Sequence, residues 1–168
     1  MLREVQCTEL KMNKQTKNQN EQKHAGNKQL AAIRIRGLNS IRTRIEDNLK
    51  MLRLYKNNYC CVLPKNEVNL GMLKKAKDYV TWGEIDEETF NTLVTKRAEE
   101  FKGRETDSKG KIKYNEFIII NNKKIKKYFR LNPPRKGFGR KGIKYSYQNG
   151  GALGYRGEAI NDLIKRMV

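Results

Sequence analysis

The sequence predicts an α/β domain with a strongly basic C-terminal portion and a polar N-terminal tail. Three observations predict it. Strand-like and helix-like segments alternate between residues 30 and 168. Apolar residues make up only 37% of the chain, yet they gather in those periodic segments, whereas residues 1–29 hold too few large apolar side chains to form a packed unit. Finally, the 37 Lys and Arg outnumber the 18 Asp and Glu, a net charge of +19, and the excess is unevenly placed. Residues 1–29 and 30–100 each contribute +3 and residues 101–168 contribute +13. At 168 residues there is room for one core plus tails.

Each element has its own signal. LAAIRI, Leu30 to Ile35, alternates Ile33 and Ile35 with Arg34 and Arg36, the pattern of a half-exposed strand. After Gly37, Asn39 and Ser40 supply a helix cap, and Ile41, Ile45, Leu49 and Leu52 form an apolar stripe at helical spacing. Asn57 and Asn58 tolerate the left-handed conformation that ends that helix. The run YCCVL before Pro64 predicts a second strand. From Leu70, the placement of Met72, Ala76, Tyr79 and Val80 on one face predicts a second helix of about ten residues closed by Gly83. Asp86 caps a third helix with Phe90, Leu93, Val94 and Ala98 inward. Residues 103–115 are polar and loop-like. FIII, the turn NNKK and KKYFRL predict a hairpin or edge addition, with KYFRL the segment that joins the main sheet. Pro133 and Pro134 end it, GIKYSYQNGG is β-like and then glycine-rich, and a last helix runs from about Gly157 with Ile160, Leu163, Ile164 and Met167 on one side.

The charge points to a polyanionic partner, since a compact polycation of this density repels itself. Ten basic side chains and no acid lie between Lys123 and Lys144. Within that run Gly137, Gly139 and Gly142 spell G-x-G-x-x-G, the spacing that cradles a dinucleotide pyrophosphate when a strand delivers the first glycine and a helix starts at the third. Here two prolines precede the loop and no helical period follows it. Glycines that allow close approach, set among Arg135, Lys136, Arg140, Lys141 and Lys144, suit a phosphate chain better, with Phe138, Tyr145 and Tyr147 available to stack on unpaired bases. A solvated basic loop with core tyrosines is the plain alternative. Asp86, Glu87 and Glu88 read as a helix start more readily than as a metal site, His24 lies in the polar tail, and Trp82 reads as a packing residue. Cys7, Cys60 and Cys61 form no C-x-x-C pair and suit reduced thiols in a cytosol. No membrane span or secretion signal is expected, and neither are a cofactor, a metal, a catalytic set or a small-molecule substrate.

IRIRGLNSIRTRIEDNLKMLRLYKNNYCCVLPKNEVNLGMLKKAKDYVTWGEID, RLNPPRKGFGRKGIK and GGALGYRG resemble the ribosomal protein L thirty family of the large subunit in its archaeal form, whose eukaryotic counterpart is called L seven. The resemblance covers about residues 30 to 168 and leaves residues 1–29 as a tail. It implies a ferredoxin-like α/β domain: a three-stranded antiparallel sheet, two helices on one face and a basic, helical C-terminal extension. A variable insertion falls at about 103–127 and a basic loop at 130–151. It implies binding to large-subunit ribosomal RNA, close to 5S rRNA and neighbouring ribosomal proteins, in the cytoplasm and with no catalytic role. The RNA-facing residues it implies are Arg36, Arg42 and Arg44 around the start of the first helix, Arg53, Lys56 and Asn57 at its end, and Arg130 with the loop residues Arg135, Lys136, Phe138, Arg140, Lys141 and Lys144. Cations such as Arg42 and Arg44 near a helix N-terminus are unfavourable unless an anion is present, and RNA phosphate supplies one. The alternatives are a free RNA-binding regulator or RNA chaperone on the same fold, and an enzyme that uses the glycine loop with a nucleotide.

Overall fold

A computed structural model describes residues 29–168 apart from positions 38, 40, 115 and 121. The expectations for the tail, for Cys7 and His24 within it, and for a cap at Ser40 lie outside the described residues. The elements in chain order are β1 (Gln29–Arg34), α1 (Thr43–Met51), β2 (Tyr59–Pro64), α2 (Glu67–Lys75), β3 (Val80–Glu84), α3 (Glu87–Arg97), β4 (Phe117–Ile120), β5 (Lys123–Lys126), β6 (Phe129–Arg130), two 3-10 turns (Gly142–Lys144 and Tyr147–Asn149), β7 (Gly154–Tyr155) and α4 (Ala159–Met167).

The main sheet runs β6-β2-β1-β3-β7. β1 pairs antiparallel with both β2 and β3, so Ala32 stands opposite Cys61 on one side and Trp82 on the other. The antiparallel three-stranded centre implied by the resemblance is present. It is widened by β6, antiparallel to β2, and by β7, parallel to β3. β6 lies in the predicted KYFRL segment.

Both faces of the sheet are covered. On one, Leu49 and Leu52 of the α1 region and Leu73 and Ala76 of the α2 region pack on Leu30, Ala32, Cys61, Val80 and Trp82, with Ile41 and Ile45 against them. On the other, Leu93 of α3 and Ile160, Leu163, Ile164 and Met167 of α4 pack on Ala31, Ile33, Cys60 and Phe129. The period-four stripe of α1 and the apolar side of α4 therefore bury as their spacing predicts.

Covering both faces corrects two local expectations. β1 is not half exposed: residues 30 to 34 are all buried, Arg34 included, because a central strand in a three-layer packing has no solvent face. Nor does the second helix continue to Gly83. Tyr79 and Val80 prolong the Met72–Ala76 stripe on paper, but the helix ends at Lys75 and Val80–Glu84 is a strand paired on both edges. The β-branched and aromatic residues Val80, Thr81 and Trp82 favour that state, and ladder bonds to β1 decide it. Gly83, read as a helix stop, is instead a point of close approach, where a Cβ would lie 2.0 Å from the Gly157 carbonyl oxygen.

Smaller corrections follow. α1 ends before Asn57, with Arg53 in the left-handed region at φ 59°, and Asn58 (φ 62°) stands in the turn just before β2 instead. Asp86 occupies the cap position of α3 but its carboxylate makes no capping bond. Its backbone amide donates instead to Asn161 Oδ1 at 3.1 Å. The insertion forms a separate two-stranded hairpin, β4 with β5. The stretch expected to be β-like after Gly142 holds two 3-10 turns and only one isolated parallel bridge, Ser146 with Leu153.

Candidate nucleic-acid interface

Around α1 the implied RNA-facing residues occupy three different environments. Arg42 stands at the helix cap position and Arg44 in the first turn, both exposed. Arg36 is half buried. Its Nη1 donates to the Asp78 carbonyl at 3.3 Å and its guanidinium lies 5.2 Å from the Tyr79 ring centre. Arg53 is half buried too, with Nη1 donating to the Glu116 carbonyl at 3.4 Å. Lys56 and Asn57 are exposed in the turn that follows.

The residue that positions this group was missed by the strand pattern, which assigned it to solvent. Arg34 is 1% exposed. Its Nη1 donates to the carbonyls of Leu54 (2.8 Å) and Tyr55 (3.1 Å), its Nη2 to Gly37 (3.0 Å) and its Nε to Arg36 (3.0 Å). The fixed fork of the guanidinium thus ties the chain entering α1 to the chain leaving it. Burial lowers its pKa, with Glu46 and Tyr79 acting in the opposite direction. Local sequence carries no signal for this, because IRIR alternates as an ordinary edge strand does.

The basic run splits into two parts. In the hairpin and β6, acids from outside the run reach in. Lys124 pairs with Glu105, Lys126 with Glu99 at 2.7 Å, and Arg130 with the same Glu99 at 3.2 Å while lying 5.9 Å from the Tyr59 ring centre. The hydrogen bond from Lys126 to Glu99 raises the lysine pKa. Lys127 is half buried, and burial and then the nearby Arg53 lower its pKa. The absence of acids from the linear run therefore does not carry over to space.

Beyond Leu131 the chain is anchored and then bare. Leu131 and Asn132 donate to the carbonyls of Asn58 and Met167 at 3.0 Å each, and Arg135 to that of Arg166 at 3.1 Å. Phe138 is half buried against the second core face and against Ile35, Ala152 and Leu153. It acts as the peg of the loop, so its ring is less open to stacking than the sequence suggests. Arg135, Lys136, Arg140, Lys141 and Lys144 are all exposed, and none of them pairs with a carboxylate among the described residues. Tyr145 is 56% exposed, whereas the Tyr147 ring lies under the Arg156 guanidinium at 4.4 Å. Gly137 and Gly142 have φ of 74° and Gly139 of 152°. Gly142 opens only a three-residue 3-10 turn, so the phosphate-facing α-helix terminus that a dinucleotide fingerprint requires does not follow the loop.

Other candidate chemistry is quiet. Cys60 and Cys61 are buried free thiols, and burial pushes both pKa values up, that of Cys61 to about 12, which disfavours the reactive thiolate. Among the described residues no group of three or more His, Cys, Asp or Glu side chains could hold a metal ion, and no helix is long and apolar enough to cross a membrane.

Together these features define a small α/β protein with a packed core and an exposed loop whose cations have no carboxylate partner among the described residues, a charge distribution that suits a polyanion. Comparison with known proteins narrows the class. The ribosomal protein L30p/L7e family matches residues 30–80. Large ribosomal subunit protein uL30 of Nanoarchaeum equitans is 44% identical over 151 residues, covering 82% of this chain and 97% of that protein. The uL30 proteins of Methanococcus maripaludis strain C5 (43%, covering 82% and 98%) and Methanopyrus kandleri (41%, covering 80% and 100%) are similar to it to the same degree. The chain belongs to the ribosomal protein L30p/L7e family.

Proposed function

We propose that this chain is a structural constituent of the large ribosomal subunit in the cytoplasm, held there by ribosomal RNA and neighbouring ribosomal proteins and with no catalytic role. What carries the proposal is that the similarity spans nearly the whole length of relatives named as large-subunit proteins. Residues 30–168 serve as one RNA-binding unit. Its phosphate contacts come chiefly from Arg135, Lys136, Arg140, Lys141 and Lys144, supported by Arg42, Arg44 and Lys56 on the α1 side. Arg36, Arg53 and Arg130 touch RNA only with the part of the guanidinium their own fold leaves free. Proximity to 5S rRNA belongs to the same proposal.

Phosphate neutralisation by exposed Lys and Arg supplies register and affinity without base chemistry, which is what a structural rRNA-binding protein requires. Mass spectrometry of large subunits washed at high salt tests the proposal, with the chain expected at one copy per particle. Recovery only from the free pool would favour the regulator or chaperone instead. Crosslinking to 5S rRNA or its immediate surroundings tests the finer placement.

A further inference from the structure

Between the glycine loop and α4 the surface sinks into a cleft of about 420 Å³. Four cations line it, Lys136, Arg140, Arg156 and Arg166, against one acid, Asp162. Lys136 and Arg140 stand exposed at the mouth. Backbone of Gly137, Gly139, Gly150 and Gly151 forms part of the wall, which lets a ligand approach the main chain. The N-terminal end of α4, at Ala159, meets the same cleft, and its dipole favours an anion there.

The inner cations are unusual for a surface groove. Arg156 is only 8% exposed. Its Nε donates to Thr81 Oγ1 at 3.4 Å, its Nη2 to the Ala152 carbonyl at 3.2 Å, and its Cζ lies 4.4 Å from the Tyr147 ring centre. A guanidinium has five N–H donors, and Nη1 of Arg156 has no acceptor among the described residues. No carboxylate forms an ion pair with this side chain, and burial lowers its pKa, with Tyr147 and, more weakly, the nearby Asp162 carboxylate opposing that and Arg166 adding to it. Arg166 donates through Nη1 to the carbonyls of Arg135 (3.4 Å) and Gly137 (3.2 Å). Its Nε is buried without a hydrogen bond, with the mostly exposed Asp162 carboxylate at 3.6 Å. The donor buried without a hydrogen bond is Nε of Arg166, whereas the open Nη1 of Arg156 is reached by solvent, and an anion entering the cleft could meet both.

We propose that this cleft is a discrete phosphate recess, in which a single backbone phosphodiester of folded RNA sits between Arg140 and Lys136 at the mouth and Arg156 and Arg166 inside. The inference rests on RNA being the partner and adds that one phosphate is bound in a built site while its neighbours meet only a diffuse field. Arg156, pinned by Thr81 of β3, makes the recess part of the sheet, so the RNA is registered to the rigid core as well as to the loop. The volume exceeds that of one phosphate and leaves room for its ribose or for water.

The test uses the full chain. Binding to rRNA extracted from large subunits is compared for the wild type, Arg156→Lys, Arg140→Gln and, as a control of equal charge change on the exposed insertion, Lys109→Gln. In parallel, inorganic phosphate is titrated into 15N-labelled protein. Arg156→Lys and Arg140→Gln are expected to weaken rRNA binding about fivefold or more and Lys109→Gln less than about twofold. Phosphate should shift the Gly137 and Gly139 amides saturably in the wild type but not in Arg156→Lys. Equal losses in Arg140→Gln and Lys109→Gln with no saturable shift would overturn the recess while leaving rRNA binding itself intact. Saturable phosphate binding without rRNA binding by the wild type would mean that the recess takes free phosphate, and the RNA proposal would fail with the function it rests on. If melting curves show Arg156→Lys unfolded, Arg140→Gln against Lys109→Gln decides the outcome.

Discussion

The cations of the hairpin and strand edge differ from those of the glycine loop in what balances them. Lys124, Lys126 and Arg130 meet Glu105 and Glu99, Arg36 lies on Tyr79 and the Asp78 carbonyl, and Arg34 donates to four carbonyls. Arg135, Lys136, Arg140, Lys141 and Lys144 are exposed with no such partner among the described residues. A count of positive charge along the chain treats the two sets alike. In space one set is already committed to the fold and the other is exposed without a carboxylate partner, so, on the proposed function, substitutions in the first should read out as stability and in the second as RNA affinity.

The largest effect that would break this division is at Arg34. Arg34→Met removes the donors of four buried or partly buried carbonyls and should destabilise by roughly 3–5 kcal/mol, measured by urea denaturation. Full stability with weakened rRNA binding would place Arg34 in the wrong set. Next comes the loop. Replacing Arg135, Lys136, Arg140 and Lys141 together by Gln should lower the slope of log affinity against log salt by about three, somewhat under one for each phosphate contact. The melting temperature should barely move, and an unchanged slope would show that the loop does not touch phosphate.

A subtler change sharpens the contrast by moving residues from one set to the other. Glu99→Gln frees Lys126 and Arg130, so rRNA binding should tighten a few-fold at low salt and the gain should fade as salt rises. No gain would mean that this edge faces away from RNA. The smallest effect is at the far edge of the sheet, where Lys65 and Tyr155 both bond to Glu84, at 3.1 and 2.7 Å. Burial pushes the Glu84 carboxyl up, but these bonds outweigh it and hold its pKa below the ordinary value. A carboxyl depressed in the folded state contributes stability above its unfolded pKa and loses it as pH falls through the folded value. Tyr155→Phe should therefore cost less than about 1 kcal/mol near neutral pH, with the gap to wild type closing in acid. A pH-independent gap in chemical denaturation would rule out the Glu84 link.

Much of the architecture was legible because it is written locally. The stripe Ile41, Ile45, Leu49, Leu52 needs no partner to be recognised as one side of a helix, and YCCVL before a proline reads as a strand. Val80–Glu84 was not legible, because Tyr79 and Val80 also fit the helical period of the residues before them, and the deciding contacts come from β1, some fifty residues away in the chain. Of the candidate site, the unpaired loop could be found from glycine and charge alone. Arg34 and Arg156 could not, since burial of an arginine is set by what packs around it. Glu99 and Glu105 were likewise invisible as neutralisers, because they enter the basic run from outside its sequence limits.

By itself the sequence determined the periodic segments, the basic excess of the C-terminal portion and the glycine-rich character of the loop, all of which follow from side-chain chemistry within a few residues. Only the tertiary structure decided that β1 is buried on both faces, that Phe138 serves as a peg, and which cations are left without a carboxylate beside them. The physical reason is that burial and ion pairing are sums over neighbours brought together from distant parts of the chain, and no local pattern contains them.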